Sequence, residues 1–184
     1  MSSDESAEST PQKKVKFVSP MTVALYGILM ALTAAITMAT FVPFAPTKGY
    51  FNIGDSMVFF SAIAFGARAG FVCGGLGSAA ADILLGSGYF APYTFIAKGS
   101  EGLVCGLIAG RKIDKKWLTV IGIAVGGACM VATYFFSELL ILNVGLGAAL
   151  AEAVGNGLQV VIGGTIGALL ANHVRKAYPK LAEL

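Results

Sequence analysis

The first apolar run of the chain is the feature that most restricts its fold. Residues 21–42 contain no charged side chain, and a helix of about 20 apolar residues crosses the hydrocarbon layer of a bilayer. Only 12% of the 184 residues are charged and the mean hydropathy is +0.77, whereas a soluble domain carries about 25% charged residues. The sequence therefore excludes a soluble enzyme and predicts an integral membrane protein.

Five further apolar segments follow the first one. They are residues 56–67, 70–85, 92–110, 117–142 and 146–171, and charges or turn residues separate them. The sequence GARAG at residues 66–70 predicts a tight turn between the second and third helices. We therefore predict an all-α bundle of six transmembrane helices. This membrane domain occupies residues 17–173, between a disordered cytoplasmic tail at 1–16 and a short basic cytoplasmic tail at 174–184.

Basic residues mark one side of the predicted membrane domain. Eleven of the thirteen Lys and Arg residues fall in the N-terminal tail, the second and fourth loops or the C-terminal tail, which six helices place on one face. Lys48 and Lys98 are the exceptions. Because cytoplasmic loops carry an excess of Lys and Arg, both termini are predicted to be cytoplasmic.

Charged side chains in or near the spans point to a functional site, because each costs about 2.5–3.5 kcal/mol on insertion scales. All six fall in the outer half of the membrane in this topology: Asp55, Asp82, Lys98, Glu101, Glu138 and Glu152. Polar groups of both signs near aromatic rings suit a planar, polar small molecule. The predicted substrate-binding residues are Tyr50, Asn52, Asp55, Tyr93, Lys98, Glu101, Glu138, Glu152, Asn156 and Gln159.

These polar residues also have structural interpretations. Asn52 and Asp55 are placed to cap the second helix and to favour its dipole. Two pairings compete with ligand contact, Lys98 with Glu101 across one turn and Asp82 with Lys98 between the third and fourth helices. For Glu138 and Glu152 the alternative to ligand contact is hydration at the membrane interface. For Asn156 and Gln159 the alternative is hydrogen bonding between helices.

Small residues recur at four-residue spacing in five places along the chain. In lipid such spacing lets two helix backbones approach closely, so most of these stripes are interpreted as packing within the bundle. The stripe on the first helix, formed by Gly27, Ala31 and Ala35, lies in an otherwise uniformly apolar segment. That stripe is therefore a candidate surface for contact with another protein.

Motifs for catalysis, metal binding or nucleotide hydrolysis are absent from the sequence. The three cysteines are an odd number inside apolar runs without CxxC spacing, so they are interpreted as packing residues. The chain has no phosphate-cradling GxxxxGK[ST] motif and no nucleophile elbow, and His173 follows the last span. We predict no catalytic residue, no metal ligand, no cofactor and no nucleic-acid partner.

Four short motifs lie between residues 51 and 110. They are N-x-G-D at 52–55, G-S-x-x-x-D at 77–82, Y-x-A-P at 89–92 and K-G-x-E-G at 98–102. In combination they resemble the S components of energy-coupling factor (ECF) transporters, especially the riboflavin-type group. The motifs span about a third of the chain. Over the rest of the chain, the predicted number of helices agrees with that of this family.

The resemblance implies a substrate-binding subunit of an ECF-type ABC importer in the cell membrane. Such a subunit captures a vitamin from outside and docks on a transmembrane coupling protein that carries two ATPase subunits. Ala31 and Ala35 match the family's docking surface. Riboflavin is the leading substrate, followed by a hydroxymethylpyrimidine or a pyridoxine-like compound, and the ligand is expected to co-purify.

Two other functions compete with this interpretation. A stand-alone secondary transporter would need a polar route through the inner half of the membrane, and the sequence places no charged residue there. A small membrane enzyme would need a metal set or a nucleophile with a base. A binding and translocation subunit without catalysis agrees best with the residues.

Overall fold

The computed structural model describes residues 19–112 and 115–178. The predicted tail at 1–16 lies outside the described residues, as does the end of the predicted tail at 174–184. The described chain forms six α-helices, a short hairpin and one π-helical turn. In chain order these are α1 (Pro20–Ala39), β1 (Val42–Phe44), β2 (Gly49–Phe51), α2 (Asp55–Phe65), α3 (Ala67–Leu84), α4 (Ala91–Ala109), α5 (Lys116–Phe136), the π-helical turn (Ser137–Ile141) and α6 (Leu146–Ala177).

The all-α prediction is confirmed, with helices close to all six predicted segments. Three helical segments are long and apolar enough to cross a membrane, namely Pro20–Ala39, Lys116–Ile141 and Leu146–Ala177. Large apolar side chains on these segments are exposed, for example Ile28, Val120 and Leu158. An apolar exterior of this kind suits a lipid environment, so the chain is a membrane protein.

The junction between α2 and α3 is the predicted tight turn. Gly66 has a φ of +94°, a backbone conformation that glycine adopts without steric penalty. Pro43, Pro46 and Gly49 are turn residues that predict a loop between α1 and α2, whereas the structure pairs β1 and β2 as an antiparallel hairpin with Pro43 opposite Tyr50. Helix α6 also continues to Ala177, beyond residue 171, where the predicted apolar segment ends. Backbone hydrogen bonds of a helix do not depend on apolar side chains, so the helix extends into the polar residues that follow.

Helix α2 lies at the centre of the bundle. All eleven of its residues are buried, since α1, α3, α4 and α6 all pack against it. Glycines allow this close approach: a Cβ on Gly167 of α6 would lie 2.8 Å from the Cβ of Phe59. A central helix has no lipid-facing or solvent-facing side, so its one acidic residue, Asp55, is buried with it.

The other glycine stripes also pack inside the bundle, as predicted. Gly70 of α3 and Gly102 of α4 face each other, and a Cβ on Gly102 would lie 2.9 Å from the Cα of Gly70. A Cβ on Gly126 of α5 would lie 2.6 Å from the carbonyl oxygen of Glu101. Helices α3, α4 and α5 are therefore held at backbone contact distance, which fixes the depth of the polar side chains that they carry.

Candidate functional site

The hairpin marks one end of the bundle, which we call the hairpin end. The hairpin connects the end of α1 to the start of α2. The C-terminal ends of α3 and α5 and the N-terminal ends of α4 and α6 lie on the same side of the bundle. The polar residues predicted for substrate binding come from these element ends. Seven of the ten are buried despite being charged or amide-bearing: Asp55, Lys98, Glu101, Glu138, Glu152, Asn156 and Gln159.

Lys98 forms an ion-paired triad with two acids near the centre of the bundle. Its Nζ contacts Asp55 Oδ1 of α2 directly and lies 3.5 Å from Glu101 Oε2, one turn further along α4. The side chains of the triad are at most 4% exposed. The proposed pairing of Lys98 with Glu101 is thus present, and Asp55 is added to it from another helix.

Asp82 does not pair with Lys98, so that interpretation is wrong. Among the described residues the ion pairs of Lys98 are to α2 and α4, while Asp82 Oδ1 accepts a hydrogen bond from the Tyr50 hydroxyl of the hairpin. Thr94 lies beside the Asp82 carboxyl and accepts a hydrogen bond of 3.1 Å from the Tyr134 hydroxyl. The polar groups in contact with the Asp82 carboxyl are therefore neutral hydroxyl groups, and Oδ2 has no hydrogen bond from a described residue.

The face of α6 carries the predicted row of Glu152, Asn156 and Gln159. Gln159 Nε2 donates to Asn156 Oδ1 at 3.0 Å, and Gln159 Oε1 accepts from the backbone N–H of Asn52. Glu152 accepts a hydrogen bond from Thr47. The predicted shared face is correct, and both amide groups have polar partners in the hairpin or in α6 itself.

The two acids at the ends of α5 and α6 are buried against each other. Glu138 is 1% exposed and Glu152 is 4% exposed, and their carboxyl groups are in contact. Hydration at the membrane interface was the alternative interpretation for both, and this burial contradicts it. Glu138 turns inward because it lies in the π-helical turn, whose wider backbone spacing shifts side chains relative to a regular α-helix.

Capping accounts for only part of the position of Asn52 and Asp55. Asn52 Oδ1 accepts a hydrogen bond of 2.7 Å from the N–H of Gly54, which shapes the turn before α2. Asp55 is the first residue of α2, yet its carboxylate is bound to Lys98 rather than left free at the helix end. The two residues therefore have different roles, one in the turn and one in the buried ion pair.

A cavity of about 20 Å³ lies where these groups converge. It is lined by Thr37, Gly49, Tyr50, Asn52, Ser78, Asp82, Phe90, Thr94, Lys98, Tyr134, Glu152, Asn156 and Gln159. Six of these residues were predicted for the site. Asp55, Glu101 and Glu138 lie behind the lining, and Tyr93 is half-buried on α4 without contributing to it.

Several lining residues were missed by the sequence prediction. Ser78 lies one turn before Asp82 on α3, and the i, i+4 spacing could have found it, because residues so related share a helix face. The same spacing does place Thr94 on the face of Lys98 on α4, although Thr94 was not among the predicted binding residues. Thr37 carried no such signal, because α1 contains no charged residue from which to count.

The hairpin closes the cavity through side-chain contacts to the bundle. Thr47 binds Glu152, Tyr50 binds Asp82 and the backbone of Asn52 binds Gln159. Burial, with the charge of Asp82 beside it, raises the pKa of the Tyr50 phenol, so Tyr50 remains a proton donor at physiological pH. A cavity of this volume holds about one water molecule, so a larger ligand requires the hairpin to move outward.

The small-residue stripe on α1 faces away from the bundle. Gly27, Ala31 and Ala35 are exposed, and a Cβ on Gly27 would meet no atom within 4 Å. Leu29 and Thr33, on the opposite face, are buried in the core. The stripe is thus available for contact, unlike the glycine stripes of the other helices.

A buried polar cluster beneath a hairpin, at one end of an apolar helical bundle, defines a membrane protein with a binding site for a small polar molecule. Residues 17–176 match the family of the ECF-type riboflavin transporter S component. The chain belongs to this family, whose members are substrate-binding subunits of transporters rather than enzymes. It is also similar to an uncharacterised protein in a gap 3′ region of Pyrococcus woesei, with 32% identity over 142 residues that cover 75% of this chain and 93% of that protein.

Proposed function

We propose that this chain captures a vitamin or a related micronutrient at the hairpin end and carries it across the membrane. The observation that carries the proposal is the convergence of polar side chains from the hairpin and five helices on one buried cluster. A membrane helix excludes such groups unless they serve a function, because each is costly to insert. Family membership supports a vitamin-type ligand.

The orientation of the chain follows from its basic residues. Arg68 and Arg111 lie at the opposite end of the bundle from the hairpin, with Lys112 and Lys116 near them in the sequence. The positive-inside rule assigns that end to the cytoplasm. The hairpin end then faces outward in the cell membrane, with six spans and both termini inside, and the site is open to ligand from the exterior when the hairpin lifts.

Energy for transport comes from partner subunits in this proposal. The sequence has no phosphate-cradling motif, so ATP hydrolysis requires a separate ECF module with a transmembrane coupling protein and two ATPase subunits. The exposed stripe of Gly27, Ala31 and Ala35 is the proposed docking surface, because small side chains let a partner helix approach closely.

Riboflavin is the first candidate ligand, because the family is named for it. A hydroxymethylpyrimidine or a pyridoxine-like compound comes next. The polar residues proposed to contact the ligand are those that line the cavity, with Asn156 and Gln159 as neutral hydrogen-bonding groups. Native mass spectrometry of the purified protein tests the assignment directly, and a bound flavin would also give yellow colour.

The docking proposal is tested by the double variant Ala31→Leu with Ala35→Leu. A matched control is Ala124→Leu with Ala128→Leu, because these alanines have the same spacing and are exposed on α5. We expect the α1 variant to bind ligand as the wild type does but to lose uptake in cells that express the ECF module. The α5 variant should retain both activities.

Loss of ligand binding together with uptake in the α1 variant would show that the stripe packs internally. Normal uptake in that variant would show that docking uses another surface. In either case the docking surface is wrong, while binding of a vitamin by the isolated wild-type chain still tests the rest of the proposal.

A further inference from the structure

The buried charges at the hairpin end are unbalanced. The described residues include five buried acids and one buried lysine in this cluster: Asp55, Asp82, Glu101, Glu138, Glu152 and Lys98. Lys98 is already shared by two of the acids. Asp82, Glu138 and Glu152 therefore have no cationic partner within the described part of the chain.

The hydrogen bonds to Asp82 and Glu152 come from neutral groups, and neither carboxyl oxygen of Glu138 has a hydrogen-bond partner among the described residues. Tyr50 donates to Asp82 and Thr47 donates to Glu152, while Glu138 contacts Glu152. The second carboxyl oxygen of Asp82, Oδ2, makes no hydrogen bond to any described residue although Asp82 is fully buried. Asp82 and Glu152 both line the cavity, so two acids without a cationic partner in the described chain border the place where a ligand would sit.

Buried carboxyl groups are stabilised by hydrogen-bond donors or by an opposite charge. An organic ligand with a positive charge, or protons on the carboxyl groups, would balance these acids. Phe90, Tyr50 and Tyr134 add aromatic surface to the same cavity, which suits a flat ring. The lining thus combines aromatic surface with two acids that lack a cationic partner, beside one buried donor without a hydrogen bond to a described residue, Asn156 Nδ2.

We infer that the ligand is a planar heteroaromatic molecule that directs a positively charged substituent at Asp82 and Glu152. The inference rests on the proposed function and narrows its substrate class. A neutral ring whose edge consists mainly of carbonyl acceptors would leave the oxygen of Asp82 without a donor. A ring that carries a protonated aminomethyl group supplies that donor and offsets the negative charge.

Protonation of the acids is the alternative to a cationic ligand, because a carboxyl group that carries a proton is neutral. If protons neutralise the acids before binding, a cationic ligand must displace at least one of them. A neutral ligand does not require this displacement. Proton release on binding therefore distinguishes a cation bound at the acids from a ligand bound elsewhere.

The experiment uses the full chain in lipid nanodiscs and isothermal titration with two matched ligand pairs. One pair is pyridoxamine and pyridoxine; the other is 4-amino-2-methylpyrimidine carrying an aminomethyl or a hydroxymethyl group at position 5. Riboflavin is the neutral reference. We expect the aminomethyl member to bind at least tenfold more tightly in one pair or both, with a heat that changes between buffers of different ionisation enthalpy.

Asp82→Asn is the variant that tests the anchor, and Ser61→Ala is its control. Both remove a buried polar group, but Ser61 lies on α2 and does not line the cavity. We expect Asp82→Asn to abolish the preference for the aminomethyl ligand and Ser61→Ala to retain it. Should Asp82→Asn fail to fold, the buffer dependence of the wild-type heat still decides the question.

Equal or tighter binding of the neutral member in both pairs, or tight binding of riboflavin without any such preference, would overturn the inference. That result would leave the proposed function intact, because a vitamin would still be bound. The absence of binding by every probe would count against both. The two failures are therefore distinguishable in one set of titrations.

Discussion

Replacement of Lys98 by methionine tests the buried triad at the centre of the bundle. Methionine keeps much of the length and apolar volume of lysine but removes its charge. The change leaves Asp55 and Glu101, which are 1% and 0% exposed, as two carboxyl groups without their cation. Removing one partner of a buried ion pair costs about 3–5 kcal/mol, so we expect a loss of this size in the free energy of unfolding.

Reversible unfolding in mixed micelles, followed by circular dichroism, measures this loss. Lys48→Met is the matched control, because Lys48 is exposed on the hairpin turn and its removal should change stability by less than about 0.5 kcal/mol. The double variant Lys98→Met with Asp55→Asn removes one orphaned charge. It should recover part of the loss, with a coupling energy of about 0.5–3 kcal/mol.

Wild-type stability in Lys98→Met would refute the reasoning, because it would mean that the acids do not need the lysine charge. A further loss of stability on adding Asp55→Asn would also refute it. In that case the two side chains would contribute independently through packing, and the ion pair would have no energetic role.

Three further predictions concern topology, ligand contact and packing. In a background without native cysteines, Lys48→Cys should react with an impermeant reagent on intact cells and Lys115→Cys should not; labelling of the latter would contradict the proposed orientation. Titration of Asn156→Ala and Gln159→Ala should show affinity losses of about 5- to 150-fold, since each removes a partner from a buried hydrogen bond worth about 1–3 kcal/mol. Wild-type affinity in both would exclude α6 from the site. Gly102→Val should destabilise the bundle by about 1–3 kcal/mol in the same unfolding assay, because its added atoms meet the α3 backbone, and unchanged stability would show that the helices can separate at no cost.

Helix positions were predictable because apolar runs and glycine turns are local signals. The turn at Gly66 needed only the residues around it, and the shared face of Glu152, Asn156 and Gln159 needed only helical spacing. The exposure of the α1 stripe also followed from a local contrast, since small residues there lie in an otherwise uniform apolar run.

Contacts between distant elements could not be predicted in the same way. The partner of Lys98 on α2 is 43 residues away, and the partner of Tyr50 on α3 is 32 residues away. Helical spacing relates residues within one helix only, so it correctly gave Glu101 as a partner of Lys98. The pairing of Asp82 with Lys98, proposed between two neighbouring helices, was wrong. The choice between these acids depends on how far α2 enters the bundle, which is a property of packing.

The hairpin was missed for a related reason. Each strand has only three residues, too few for an alternating pattern to stand out from a loop. Side-chain contacts from Thr47 and Tyr50 to the bundle hold the hairpin in place, so its conformation depends on the rest of the fold. The π-helical turn around Glu138 likewise carries no motif in the sequence.

The closed hairpin has a consequence for the timing of ligand exchange. Its contacts to Glu152, Asp82 and Gln159 must break before a vitamin-sized molecule enters the cavity. When only a fraction of molecules is open, the apparent affinity falls by that fraction, and at high ligand concentration the binding rate levels off at the opening rate. The same contacts delay departure of a molecule already inside. In the proposed function the hairpin therefore sets the residence time of the ligand, and a long residence time gives a loaded carrier the opportunity to meet the proposed energising partner before the ligand escapes.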